Sequence, residues 1–266
     1  MRIAIENLSF TYPSGVIALQ NVTLAIEAGE QLAIIGQNGS GKTTLIKQLN
    51  GLLRPSHGSV RIGDWLTTEH SVAKMAGRVG YVFQNPDDQL FKGTVHDEVK
   101  FGPGNLGFAA DKIDLLVHQA LTLLELTDKA DVNPYDLTAT WRKRVAMAAV
   151  LAMDTPIVIF DEPTTGQDYQ SVQLLAQIFH TLHEQGKTVI AVSHDIDFVA
   201  ENFTRIVVMG QGHILLDGTA AAVFAQEQLL NSTDVEPPQL TRLGKRLTLD
   251  PVVYTVENFL AALRKE

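Results

Sequence analysis

The chain has 266 residues, 45% hydrophobic and 19% charged, enough for one large domain with a buried core. Its net charge is −9, so a phosphate backbone repels it, and nucleic acid is excluded as a main partner. It has no cysteine, which rules out disulfides, thiolate chemistry and cysteine-held zinc. Met1–Asn7 alternates like a strand and lacks the apolar core of a secretion signal. The longest apolar run, Val145–Met153, is far short of the roughly 20 residues a spanning helix needs. The expectation is a cytosolic protein that meets a membrane only through a partner.

Residues 1–35 read as antiparallel strands, with turns at Tyr12–Gly15 and Glu27–Glu30. Gln31–Ile35 is a short apolar strand entering a glycine-rich loop. A helix is expected from Lys42 to about Leu53, stopped by Pro55. Strands near Ser59–Ile62 and Val79–Phe83 are expected to continue this first lobe. Residues 94–153 read as helical, with Leu115, Leu116, Ala120, Leu123 and Leu124 at helical spacing. From 157 to 217 strands and helices alternate, which implies a parallel sheet covered on both faces. Asn231–Asp234 and Glu236–Pro238 read as a polar linker. Beyond it lie two short amphipathic helices, one with Leu240, Leu243 and Leu247, the other with Val256, Phe259, Leu260 and Leu263. The fold class is therefore α/β, with a main domain over 1–230 and an extension over 231–266 that must dock on something.

Gly36-Gln37-Asn38-Gly39-Ser40-Gly41-Lys42-Thr43 fits the phosphate-loop pattern and sits between a strand and a helix, as that chemistry requires. Glycines let the backbone approach a phosphate closely, and successive amides at a helix start then point at it. This predicts ATP with Mg²⁺: Lys42 on the β- and γ-phosphates, Thr43 on the cation, Thr44 beside it.

Ile157–Phe160 delivers Asp161 and Glu162 to a strand's C-terminal end, where ligands bind in open α/β sheets. Asp161 fits a Mg²⁺ role and Glu162 the polarising of an attacking water. Alone, the pair would read as a helix cap; beside a phosphate loop it reads as catalytic. Gln84 follows a strand and could sense Mg²⁺ or that water, or be a polar turn residue. His194 could meet a γ-phosphate or be a surface cap. Tyr12 could stack on adenine or simply pack on the core.

Together these residues resemble the ATP-binding cassette (ABC) ATPases over about residues 1–225. Tyr12 matches the adenine-stacking aromatic, Gly36–Thr43 the Walker A loop, and Gln84 the Q-loop glutamine. Asp161–Thr164 matches Walker B with its catalytic glutamate, Gly166–Asp168 the D-loop, and His194 the switch histidine. The resemblance implies a parallel core sheet with helices, an N-terminal antiparallel β subdomain and a helical subdomain near 94–153. Phe83–Phe91 is similar to the segment of the energy-coupling factor (ECF) importers and their cobalt and nickel relatives, and 231–266 to their dimerising extension. This implies a subunit at the cytoplasmic face of the cell membrane that powers uptake of a vitamin or trace metal. Its implied partners are a second ATPase, a transmembrane coupling protein and a substrate-binding membrane protein.

Leu137-Thr138-Ala139-Thr140-Trp141 stands where the family has Leu-Ser-Gly-Gly-Gln, and Gln167 where it has leucine. In the family that signature serves the nucleotide of the facing subunit. Such a chain is expected to pair with a non-identical ATPase whose signature is intact. Leu90, Phe91, Val95, Val99 and Phe101 are expected to form a groove for a helix of the membrane partner, or else to be core. The rival readings are a soluble ABC protein of translation or DNA repair, a small GTPase and a phosphate-loop kinase. The first usually has two cassettes; the second needs an Asn-Lys-x-Asp motif, absent here; the third would not need His194.

Overall fold

The computed structural model describes residues 1–249 and 252–264. In chain order the elements are β1 (Ile3–Thr11), β2 (Ile17–Ile26), β3 (Gln31–Ile35), α1 (Lys42–Leu49), β4 (His57–Ile62), β5 (Trp65–Leu66), α2 (Val72–Met75) and β6 (Val79–Val82). Three helices follow: α3 (Val95–Asn105), α4 (Ala110–Leu123) and α5 (Ala139–Leu151). Strand and helix then alternate through β7 (Ile157–Asp161), α6 (Tyr169–Glu184), β8 (Thr188–Val192), α7 (Ile196–Asn202), β9 (Arg205–Gly210) and β10 (His213–Thr219). The chain continues through α8 (Ala220–Phe224), α9 (Glu227–Asn231), α10 (Gln239–Arg246) and α11 (Val256–Leu263).

Two sheets form. The antiparallel one runs β2-β1-β4-β5; the other has six strands in the order β10-β9-β3-β8-β7-β6. Strands β9, β3, β8, β7 and β6 are parallel, and β10 turns back antiparallel on β9, so the sheet is mixed and not purely parallel. Strands β7 and β8 are buried along their whole length, and β3 and β9 past their first residue, which is why they read as apolar runs. One face, with Leu32, Ile34, Ile159 and Val207, packs on α1 and the antiparallel sheet. The other, with Ala33, Phe160, Ala191 and Val208, packs on the helices from α5 onward.

Several expectations need correction. Val79–Val82 does not continue the antiparallel lobe; it pairs with β7 as the outer strand of the six-stranded sheet. Helix α1 stops at Leu49, because Gly51 takes φ +76° and turns the chain before Pro55 can act. Leu115 points to solvent, although its neighbours in the periodic set pack inward or partly so. The 231–238 segment is no free linker: Thr233, Val235, Pro237 and Pro238 are buried. Of the five groove candidates, Leu90 (3% exposed), Val95 and Val99 are core, while Phe91 (56%) and Phe101 (39%) face outward.

Candidate active site

Strand β3 delivers the chain into Gly36 and α1 takes it up at Lys42. The glycines at the loop's ends are demanded by its own surroundings. Gly36 has φ +147°, and a Cβ there would lie 2.2 Å from the Met209 carbonyl oxygen; at Gly41, φ +104°, it would lie 2.6 Å from that of Ala18. The loop is thus wedged between β9 and β2, with Gly39 at its open crest. Lys42 is buried and donates from Nζ to the carbonyls of Gly36 (2.7 Å) and Gln37 (2.9 Å). Burial pulls its pKa down, and the charges of Glu162 and Asp161 pull it back up. The Ser40 hydroxyl is buried without a partner. A buried ammonium bonded to two carbonyls, an orphaned hydroxyl and a glycine cradle fit the phosphates of a nucleotide.

Asp161, buried at the end of β7, accepts from Thr43 Oγ1 at Oδ1 (3.3 Å) and from the Tyr81 hydroxyl at Oδ2 (2.7 Å). A hydroxyl and a carboxylate are the hard oxygen donors that Mg²⁺ takes. Among the described residues no cluster of three or more acidic or histidine side chains could hold a metal unaided. A cation here would therefore draw its remaining ligands from phosphate oxygens and water. Tyr81 escaped the sequence reading. Burial and the Asp161 charge hold its phenol far above the usual tyrosine range, so it stays a donor. It sits opposite Ile159, two residues before Asp161 and on the same face, a neighbour only strand pairing creates.

Glu162 holds φ +50°, the left-handed region that few side-chain-bearing residues adopt. Its N–H donates to the Val192 carbonyl (2.9 Å), and its own carbonyl accepts from Lys143 Nζ (2.6 Å). Its carboxylate Oε2 lies 2.7 Å from His194 Nδ1 and 3.3 Å from the His194 amide. Nδ1 must carry the proton in that contact, since a carboxylate only accepts. His194, expected to face a γ-phosphate, here rests on the glutamate.

Tyr12, Ile17, Lys42, Thr43, Thr44, Gln84 and Glu162 are brought together around one cleft of about 300 Å³. The Tyr12 hydroxyl lies 3.0 Å from Thr44 Oγ1, which fixes the ring at the cleft wall. A wider cavity of about 820 Å³ adjoins it, lined by Gly36, Gln37, Asn38, Gln84, His194 and the 234–239 segment. Gln84 is exposed and borders both. The odd segment starts α5: Thr138 occupies the cap position without a side-chain cap bond. Lys129 Nζ (4.2 Å) and the Arg144 guanidinium (4.5 Å) both stand over the Trp141 ring.

Residues 19–165 match the profile of the ABC transporter family. The chain is 38% identical over 98% of its length to an ABC transporter ATP-binding protein of Methanosarcina acetivorans, spanning 43% of that protein. It is 36% identical to the energy-coupling factor transporter ATP-binding protein EcfA2 of Streptococcus thermophilus, with 99% of both chains covered. Among solved structures, cbiO1 of Clostridium perfringens, part of the ABC transporter complex cbiONQ, superposes with TM-score 0.77 at 32% identity, covering 93% of this chain and 98% of that one. With the phosphate loop, the acid pair on β7 and the two-sheet frame in place, this chain belongs to the ABC transporter family of ATP-binding proteins.

Proposed function

We propose that this chain is the ATP-hydrolysing subunit of an ECF-type importer that takes up a vitamin or trace metal. The observation that carries the reading is the placing of Glu162: its carboxylate borders the same cleft as Lys42, Thr43 and Gln84. Similarity to EcfA2 over nearly the whole chain supports the transporter class.

Bound ATP with Mg²⁺ would supply the phosphoryl group and the charge that polarises it. Gly36–Thr43 holds the phosphates through its amides and Lys42. Thr43, Asp161 and Gln84 would hold the cation. Tyr12 lines the base side. Glu162 Oε2 orients the attacking water and draws its proton; His194 Nδ1–H keeps that carboxylate aimed. The signature amides that would complete the site come from a second, non-identical ATPase, while Thr138–Trp141 completes that subunit's site poorly. Removing one such donor costs about 100- to 1000-fold in rate.

The apolar groove of about 220 Å³ bounded by Leu52, Val72, Phe91 and Phe101 fits a helix of the transmembrane coupling protein, which in turn carries a substrate-binding membrane protein. Among the described residues no helix is long and apolar enough to cross a membrane. The cytoplasmic face of the membrane, reached through that groove, is the place this reading assigns. The main domain ends near 230, and the outward Leu243, Leu247, Val256, Leu260 and Leu263 of the extension suit a contact between ATPases.

The test is Glu162→Gln in the complex purified from membranes in mild detergent. ATP binding is expected to persist and hydrolysis to fall at least about 100-fold; near-normal ATPase and transport would overturn the assignment. Co-purification with ribosomes or DNA, without an integral membrane protein, would favour a soluble ABC protein.

A further inference from the structure

Lys143 is 3% exposed, in the second turn of α5, and none of the carboxylates in the site ion-pairs with it. Its Nζ donates to the carbonyl of Glu162 (2.6 Å) and to that of Thr165 (3.2 Å). These are the two ends of the turn Glu162-Pro163-Thr164-Thr165. The turn's own bond, Thr165 N–H to the Glu162 carbonyl, is long at 3.4 Å. The ammonium therefore closes the turn more firmly than the backbone does.

That closure matters because of what the turn holds. Glu162 stays at φ +50° although an L-residue disfavours it. Its peptide groups are held on both sides, the N–H by Val192 and the carbonyl by Lys143. Those two contacts fix the Cα–Cβ direction, and so the point at which the carboxylate meets His194. Burying an ammonium against carbonyls alone is costly, and an apolar side chain would pack there without that cost.

The flanking residues reach segments next to the site, and Arg144 also pairs with Glu125 at 2.5 Å. Arg142 pairs with Asp87, three residues beyond Gln84, at 2.9 Å. Arg144 donates to Ser171, whose N–H is capped by Asp168. Three consecutive basic residues thus leave one helical turn for the Gln84 segment, the Glu162 turn and the start of α6. All three spring from the helix that begins at Thr138–Trp141.

We infer that Lys143 is a positioning residue for catalysis, holding the Glu162 backbone so that its carboxylate stands at the attacking water. The inference rests on the reading of Glu162 given above. It acts through Glu162 and touches neither nucleotide nor water, so its loss lowers turnover and spares ATP binding.

The experiment uses the full transporter complex with Lys143→Met and Lys143→Arg, each made also with Glu162→Gln. Lys143→Met is expected to lower kcat about 10- to 100-fold, the usual effect of a displaced catalytic group. KM for ATP and the Kd of a fluorescent ATP analogue are expected to stay within about 2-fold, because Lys143 contacts no part of the phosphate loop. Lys143→Arg, which keeps a charged donor, is expected to restore more than half of the lost rate on a logarithmic scale. With Glu162→Gln present, Lys143→Met is expected to change the residual rate less than about 2-fold, since both act through one group. If the methionine protein does not fold, Lys143→Leu, which has no donor and less bulk, is read in the same way. A folded variant with unchanged kcat, or a full multiplicative loss on top of Glu162→Gln, overturns the inference. If Glu162→Gln alone leaves hydrolysis intact, it is the assignment of Glu162 that fails, a distinct result.

Discussion

The hydroxyl of Tyr81 donates to Asp161 Oδ2 across 2.7 Å, while the same ring walls the apolar groove beside Phe83. One side chain therefore touches both the proposed cation ligand and the surface proposed for the membrane partner. Tyr81→Phe leaves Oδ2 unheld and the ring in place. Outer-shell partners of this kind typically change metal affinity about 10- to 100-fold. The Mg²⁺ concentration that half-saturates ATP binding is expected to rise by about 10-fold, with ATP binding in chelator unchanged. An unaltered Mg²⁺ dependence would mean that the hydrogen bond does not orient the carboxylate.

Gly36→Ala places a methyl group 2.2 Å from the Met209 carbonyl oxygen, a separation no contact tolerates. The neighbour is backbone of a central strand and cannot turn aside. Nucleotide binding is expected to vanish, and the melting temperature to fall by several degrees for about 1–3 kcal/mol of strain. Gly39→Ala, at the open crest with φ +81°, is the milder control. Calorimetry and ATP titration on both variants decide it.

Stability should depend on pH through Lys143. Burial holds its pKa at about 8 against an ordinary 10.5, with Glu162 and Asp161 pulling it back upward. Between those values the unfolded chain keeps a proton that the folded chain has released, so rising pH favours the folded state. Below about 8 both states are protonated and the burial cost is constant. Wild type is therefore expected to gain in melting temperature relative to Lys143→Met as pH goes from 8 to 10.5, and not from 6.5 to 7.5. A flat difference across the upper range would place the ammonium in contact with water.

The groove separates two substitutions that look alike in sequence. Phe91 is outward and pairs edge-to-face with Phe101 at 4.8 Å, whereas Leu90 is core. Phe91→Asp is expected to fold, bind ATP and lose co-purification with the membrane partner. Leu90→Asp buries a charge and is expected to cost more than about 3 kcal/mol, collapsing yield and melting temperature together. Equal behaviour of the two would remove the groove from the proposed contact.

Legibility in the sequence followed locality. Gly36–Thr43 could be read because each requirement lies within eight consecutive residues, between a strand and a helix. Asp161 and Glu162 could be read because a strand's end projects its last residues at a ligand. The expected linker at 231–238 failed because polar and proline content signals exposure only on average, and here Thr233, Val235 and the two prolines are packed. The groove reading failed by half, since five apolar residues in one stretch do not say which side of an irregular segment meets solvent.

The sequence by itself determined the phosphate loop, the strand-borne acid pair and the family likeness, because these depend on residue type at short, fixed spacing. Tertiary structure alone decided that Tyr81 holds Asp161 from 80 residues away, that Lys143 holds the carbonyl of Glu162, and that His194 rests on the glutamate. Those contacts follow from the strand order β3-β8-β7-β6 and from the seating of α5 against the end of β7. Strand order is set by the total burial of two sheets, a sum over the whole chain that no local pattern records.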